Sequence, residues 1–406
     1  MTTEPMVIAG AGLAGATAAE TLRSEGFDGR VMLIGTENHQ PYLRPPLSKD
    51  YLQTGDAATL PVLAENWYQE HDVELVTDTV SSLDPPASQV QLESGRGISY
   101  HRLLLATGCS PRRLPIPGAD LDGVHFLRTV EDSDRLRAAL AGGGRRLVVV
   151  GSGWIGMEVA ASASTLGNEV TVLGLEDVPL EAVLGPKLGT AFQNLHNSHG
   201  IRFKLPSSAS EIRGDGGKVT HVVTNDGSWV EADLVLIAVG VVPNTGLAQQ
   251  AGLQTGNGIL VDESLQTSDP NIYAAGDVAN AFHPVLQDRL RSEHWANAIA
   301  GGKTAAQAML GQSVQQDDIP YFYTDQFDLG MEYSGYGPLT LGADIVTRGS
   351  VESGEFIAFW LRHGKVVAGM NINVWDVQDG IQDLIRSARL VETTRLADPD
   401  VPLDEV

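Results

Sequence analysis

A chain of 406 residues, 42% hydrophobic and 19% charged, has the length and apolar content for two or three domains with real cores. A net charge of -24 argues against nucleic acid or an anionic membrane as partner of the whole surface, and the one cysteine, Cys109, excludes an internal disulfide, a Cys-x-x-Cys redox pair and a cysteine-held metal or iron–sulfur cluster. No apolar run approaches the roughly 20 residues that span a bilayer, and the start MTTEPMVIAG has no basic stretch leading into a hydrophobic one, so the chain reads as cytoplasmic, with any redox work left to a bound cofactor.

The first forty residues carry the organising pattern. An apolar run (Val7, Ile8, Ala9) leads into Gly10-x-Gly12-x-x-Gly15, an alanine-rich helical stretch and a second apolar run (Val31 to Ile34) closed by Gly35-Thr36-Glu37. Strand, glycine turn, helix and strand in that order predict a dinucleotide-binding unit. The first glycine allows the turn, the second admits a pyrophosphate to the backbone and the third lets helix pack on strand. Glu37 follows Gly15 by 22 residues, close to where such a unit needs a carboxylate for ribose hydroxyls. Asn38 to Leu52 then reads as a proline-stiffened loop entering a short helix. It carries Arg44 and Lys49, cations suited to phosphates and an electron-rich ring.

Residues 73–105 read as short strands ending in the turn Ala106-Thr107-Gly108, and Leu114-Pro115-Ile116-Pro117-Gly118 marks a domain crossing. The pattern then repeats about 140 residues on. Leu147 to Val150 is a strand, Gly151-x-Gly153-x-x-Gly156 the turn, Met157 to Leu166 a helix, and Glu169 to Leu173 the next strand, closed by Gly174-Leu175-Glu176. Two such units imply two dinucleotides held by one chain. By internal comparison Glu176 takes the ribose role of Glu37. No Arg or Lys lies between Gly174 and Pro186 to meet a 2′-phosphate, so NADH is favoured over NADPH. Glu158 reads either as an acid at the cofactor junction or as an ordinary helix-face glutamate.

Strands follow over 201–239, ending before Gly240. Asp277 comes directly after an apolar strand and Gly276, where it suits a polyhydroxyl chain or a helix cap. Arg291 to Leu310 reads as a long alanine-rich helix starting near His294-Trp295. From Pro320 aromatic-rich strands and a helix over Asp376 to Ser387 predict a third domain, followed by an irregular acidic tail after Leu396. Local arginines at 112–113, 145–146, 289, 291, 386, 389 and 395 are candidate basic patches.

GAGLAG with GTE, PYLRPPLSKDYL, LLLATG, GSGWIGMEVAA, VGVVPNT, YAAGDVA and EHWANAIAGGKTAA, in that order, resemble the FAD-dependent NADH:ferredoxin reductases that serve bacterial cytochromes P450 and Rieske oxygenases. The resemblance implies an α/β fold of glutathione-reductase type with two Rossmann-like domains and a C-terminal α+β interface domain. It gives an FAD-binding domain at 1–111 and 242–318, an NAD-binding domain at 112–241 and an interface domain at 319–406. By matching motif, Ala14, Glu37, Lys49, Val80, Arg128, Asp277 and Trp295 resemble FAD contacts, and they join the cofactor-binding candidates Gly10, Gly12, Gly15, Arg44 and Ala106 read from the turn and loop themselves. Gly151, Gly153, Gly156, Glu176 and Gly240 fall on the NAD side. Lys49 and Glu158 resemble a family ion pair beside flavin N5.

The implied partner is a [2Fe-2S] ferredoxin feeding an oxygenase. Two departures stand out: Gly174 lies where many relatives have a glutamate, and Tyr323 where they often have a tryptophan. A disulfide reductase would need cysteines in Tyr42 to Ser48, and there are none. A rubredoxin reductase, an NADH oxidase or monodehydroascorbate reductase with a small-molecule acceptor, and an apoptosis-inducing-factor-like protein share the remaining motifs.

Overall fold

The computed structural model describes residues 4–406, which fall into two compact units, each assembled from separated stretches of chain. The first comprises 4–43, 58–110 and 242–322; the second comprises 44–57, 111–241 and 323–406. Along the chain run β1 (Met6–Ala9), α1 (Leu13–Ser24), β2 (Val31–Gly35), α2 (Asp50–Thr54), β3 (Val73–Thr77), β4 (Arg102–Leu105), β5 (Val124–His125) and α3 (Val130–Leu140). Then come β6 (Arg146–Val150), α4 (Trp154–Thr165), β7 (Glu169–Leu173), α5 (Glu181–Ser198), β8 (Arg202–Lys204), β9 (Leu234–Ile237), β10 (Ile272–Ala274) and α6 (Trp295–Met309). The last part holds β11 (Tyr321–Gln326), β12 (Leu329–Gly335), β13 (Asp344–Ser350), β14 (Glu355–Arg362), β15 (Lys365–Ile372) and α7 (Gln378–Ser387).

Each unit contains a five-stranded parallel sheet, in the order β10-β4-β1-β2-β3 in the first and β8-β7-β6-β9-β5 in the second. The two are built alike. In both, a glycine turn joins the central strand to a helix, and an antiparallel three-stranded ribbon precedes the strand on the other side of the centre. That ribbon is Val80–Asp84, Gln89–Leu92 and Gly97–Ser99 before β4, and Ala209–Asp215, Lys218–Thr224 and Trp229–Glu231 before β9. A parallel sheet is covered on both faces, which is why β1, β9 and, after Arg102, β4 are continuous apolar runs rather than alternating ones.

Small residues set how closely the helices of the first unit approach. A Cβ on Gly302 of α6 would lie 2.6 Å from the Ala14 carbonyl oxygen and 3.0 Å from Thr17 Cβ of α1. The helical pattern of the second turn begins three residues earlier than its sequence suggests, at Trp154, because Gly153 itself caps the helix.

In the second unit β11-β12-β15-β14-β13 form a mixed-length antiparallel sheet whose core includes the fully buried Phe356, Phe359, Trp360 and Met370, with α7 burying Ile381 and Leu384. The acidic tail is not irregular throughout. A 3-10 turn covers Leu403–Glu405, and the buried Arg348 guanidinium donates to the carbonyl oxygens of Asp398 and Val401, which ties the tail to β13. Gly302→Val should destabilise the protein by about 1–3 kcal/mol through overpacking. Urea unfolding of the variant checks it, with an unchanged midpoint as the contrary result.

Candidate functional site

In the first glycine turn each glycine has a separate reason to be glycine. Gly10 has φ +124, and a Cβ there would overlap the carbonyl oxygen of Ala106; a Cβ on Gly15 would overlap the carbonyl oxygen of Gly10. Gly12 differs, with nothing within 4 Å of the place its Cβ would take. It is the N-cap of α1, no side chain caps that helix, and no acid stands in its first turn. The first amides of a helix have no partner inside it, so an open, uncapped start is a place for an anion. By contrast α3, away from any glycine turn, closes its start with a Thr129–Asp132 capping box.

The other first-unit candidates have defined settings. Ala14 is buried under Gly276 and Gly302, and Glu37 ends the β2 turn accepting a hydrogen bond from the Tyr42 hydroxyl. Ala106 N donates to Ala9 O at 2.8 Å, which sets the carbonyl that Gly10 must clear. Val80 opens its ribbon strand opposite Leu92. Asp277 lies in the short turn Gly276–Val278, and its carbonyl oxygen accepts from Arg291 Nη1 at 3.3 Å. Trp295 is the first residue of α6, a third helix whose start has neither a side-chain cap nor an acid.

The second unit repeats the turn. Gly151 has φ +119, and a Cβ on it would overlap the Ala238 carbonyl oxygen; one on Gly156 would overlap that of Gly151; Gly153 again faces open space at an uncapped helix start without acids. Glu176 accepts a hydrogen bond from Ala182 N at 3.2 Å, so its carboxylate caps the start of α5. Gly240 has φ +90, and its carbonyl accepts from Arg112 N at 2.9 Å. Arg44 donates to the carbonyl oxygen of Arg128, which brings those two candidates together.

Lys49 and Glu158 also meet in this unit. Glu158 of α4 is 7% exposed, and its carboxylate takes three hydrogen bonds: Lys49 Nζ at 2.7 Å and Thr324 Oγ1 at 2.6 Å on Oε1, and Ser48 Oγ at 2.5 Å on Oε2. A buried carboxylate left unpaired costs several kcal/mol, and this set of donors holds Glu158 in place. Lys49 Nζ further lies 5.7 Å from the centre of the Tyr323 ring. Burial pushes the neighbouring Asp325 carboxyl up, with Lys49 opposing the shift and Glu158 adding to it. The loop that carries Lys49 is fixed by hydroxyls of two helices: Ser133 Oγ donates to Leu47 O at 2.8 Å, and Ser162 Oγ to Ser48 O at 2.8 Å.

Residues 4–302 match the family described as pyridine nucleotide-disulphide oxidoreductase, and residues 321–406 match the reductase C-terminal family. The probable ferredoxin reductase CtmF of Castellaniella defragrans is 39% identical over 404 residues, covering 98% of this chain and 97% of that one. The crystal structure of the ferredoxin reductase for the CYP199A2 system from Rhodopseudomonas palustris superimposes with a TM-score of 0.94 at 37% identity over 99% of both chains. The reductase in the covalent putidaredoxin reductase–putidaredoxin complex does so with a TM-score of 0.94 at 34% identity, covering 100% of this chain and 98% of that one.

The chain belongs to the pyridine nucleotide-disulphide oxidoreductases, among their ferredoxin reductases. The reductase is an FAD-dependent oxidoreductase, and its residues fit the cofactor. The first turn offers bare backbone amides in open space, and α6 offers another uncapped start. Next to that start, His294 Nδ1 is buried without a hydrogen-bond partner among the described residues. Among the described residues no helix is long and apolar enough to cross a membrane.

Sequence reasoning passed over Ser48, Thr324, Ser133 and Ser162. A serine or threonine has no spacing that marks it as a partner for a distant carboxylate. Only Ser48, directly before Lys49 in the RPPLSK loop, lay in a stretch already singled out.

Burial lowers the His294 pKa to about 4, with Asp277 opposing. The ordinary value is near 6.5, so as pH falls the unfolded chain takes up the proton before the native one. The stability this group contributes is complete above about pH 6.5 and declines towards pH 4 by about 3 kcal/mol. Urea unfolding of the apoprotein at about pH 7 and about pH 4.5 should show that loss shrink in His294→Asn; an equal loss in both proteins would contradict the assignment.

Proposed function

We propose that this reductase takes hydride from NADH onto FAD and passes electrons one at a time to a [2Fe-2S] ferredoxin that feeds an oxygenase, and that it works in the cytoplasm. The observation that carries the reading is the repeated turn: two parallel sheets, each presenting an open Gly12- or Gly153-type cradle at an uncapped helix start.

On this reading residues 1–111 and 242–318 bind FAD, 112–241 bind NADH, and 319–406 form the interface domain. Gly10, Gly12 and Gly15 would hold the FAD pyrophosphate, with Ala14, Glu37, Arg44, Lys49, Val80, Ala106, Arg128, Asp277 and Trp295 as further contacts. Gly151, Gly153, Gly156, Glu176 and Gly240 would serve NADH. When bound, FAD accepts two electrons as hydride and releases them singly, which joins a two-electron donor to a one-electron carrier.

The protein supplies orientation and charge. Lys49 contributes a positive charge fixed by Glu158, whose carboxylate is also held by Ser48 and Thr324, so the ammonium has one preferred direction. The three donors hold the glutamate in place, and the glutamate in turn holds the Lys49 side chain. A single cysteine leaves no dithiol to carry electrons onward, so they leave through an external carrier.

Anaerobic mixing with NADH, a [2Fe-2S] ferredoxin and cytochrome c tests the reading: cytochrome c reduction should require the ferredoxin, and equal rates without it would refute the partner. Lys49→Ala should slow flavin reduction by NADH on the order of tenfold or more in stopped flow, and an unchanged rate would remove Lys49 from the chemistry. If basic patches dock the ferredoxin, the coupled rate should fall several-fold as ionic strength rises from about 0.01 M to about 0.5 M, whereas a flat profile speaks against electrostatic docking.

A further inference from the structure

The end of β11 spends both of its buried positions on polar side chains. Tyr323 and Asp325 are exposed, whereas Thr324 and Gln326, two residues apart and so on the same face of the strand, are each 1% exposed. Just beyond them Phe327 turns the hairpin with φ +59. Its ring lies nearly parallel to that of His199 at 3.7 Å between centres and 5.4 Å from that of His196, which fastens the strand end beside α5. All of these residues, with Lys49 and Glu158, belong to the second unit.

The two polar side chains form a hydrogen-bond chain with one direction. Thr324 Oγ1 donates its single proton to Glu158 Oε1 at 2.6 Å, so towards Gln326 that oxygen can only accept. Gln326 Nε2 supplies the donation at 3.1 Å. The amide oxygen could not, and it is left buried without a hydrogen-bond partner among the described residues. A buried acceptor without a partner costs stability, so an apolar side chain of similar length would suit the fold at least as well. The position holds instead a group whose nitrogen commits the threonine proton to Glu158, the carboxylate that pairs with Lys49 Nζ at 2.7 Å.

We propose that Gln326 is a positioning residue for flavin reduction: its amide nitrogen commits the Thr324 hydroxyl to Glu158, and through Glu158 it holds the Lys49 ammonium in the direction that hydride transfer uses. The inference rests on the role given to Lys49 under the proposed function. Because the chain ends on Lys49 and not on the second glycine turn, its loss falls on the rate of reduction rather than on nucleotide affinity.

Gln326→Met removes the donor and the orphaned acceptor together at nearly unchanged volume. In anaerobic stopped flow of the holoenzyme its limiting rate of flavin reduction should fall roughly three- to tenfold, the loss expected for one hydrogen bond, with half-saturating NADH unchanged. Urea unfolding of its apoprotein should give a midpoint no lower than that of the wild type. Thr324→Val should also be slow, and adding Gln326→Met to it should slow it no further, because both changes act on the same proton. An unchanged limiting rate, a loss confined to half-saturating NADH, losses that multiply in the double variant, or a midpoint that falls along with the rate overturns the proposal. Lys49→Ala measured alongside keeps the two claims apart. If it is slow while Gln326→Met is normal, this proposal alone fails; if it is itself normal, the role of Lys49 fails and this proposal with it.

Discussion

Everything in this reductase turns on backbone amides that a helix cannot satisfy for itself. At the carboxyl edge of a parallel sheet the chain must reverse from strand to helix within a few residues, and the first helical amides emerge there without partners. A side chain can close such a start, as Thr129 and Asp132 do in α3. Gly12 and Gly153 instead leave theirs open, and the flanking glycines are held so tightly against Ala106 and Ala238 that no larger residue fits. The bare dipole is then fixed in position before any ligand arrives, so little ordering entropy is left to spend on binding.

The second constraint is a buried carboxylate. Glu158 is tolerable only because Lys49, Ser48 and Thr324 converge on it, and those groups come from a proline-stiffened loop and from β11. The loop in turn is fastened to α3 and α4 by Ser133 and Ser162. A charged group set this way has a defined direction without help from solvent, which is the property an electron-rich ring requires of a cation nearby. The hydrogen bonds that pair Glu158 also direct Lys49, so substitutions at the hydroxyls act on the lysine at a distance.

Much of this was legible in the sequence because it is local. The glycine turns, the apolar strands on each side and the acids two residues past each strand all lie within about 40 residues and follow from backbone sterics. The RPPLSK loop was legible as a stiff carrier of cations. What the sequence left hidden is tertiary. Thr324 and Ser48 have no pattern that points to Glu158, and Arg348 gives no hint that it ties down the tail. Glu176 shows the opposite case, since its spacing marks a ribose ligand while the loop geometry makes it a helix cap as well.

The most direct test of the account separates the two cradles. Gly12→Val and Gly153→Val each fill the open space of one turn, and the purified variants are compared by absorbance before and after anaerobic NADH, then dithionite. The account expects Gly12→Val to be isolated without flavin. It expects Gly153→Val to stay yellow and be reduced by dithionite while NADH reduces it at least tenfold more slowly than the wild type. Flavin retained at full occupancy in Gly12→Val, or normal NADH reduction in Gly153→Val, would contradict the assignment of one cofactor to each turn.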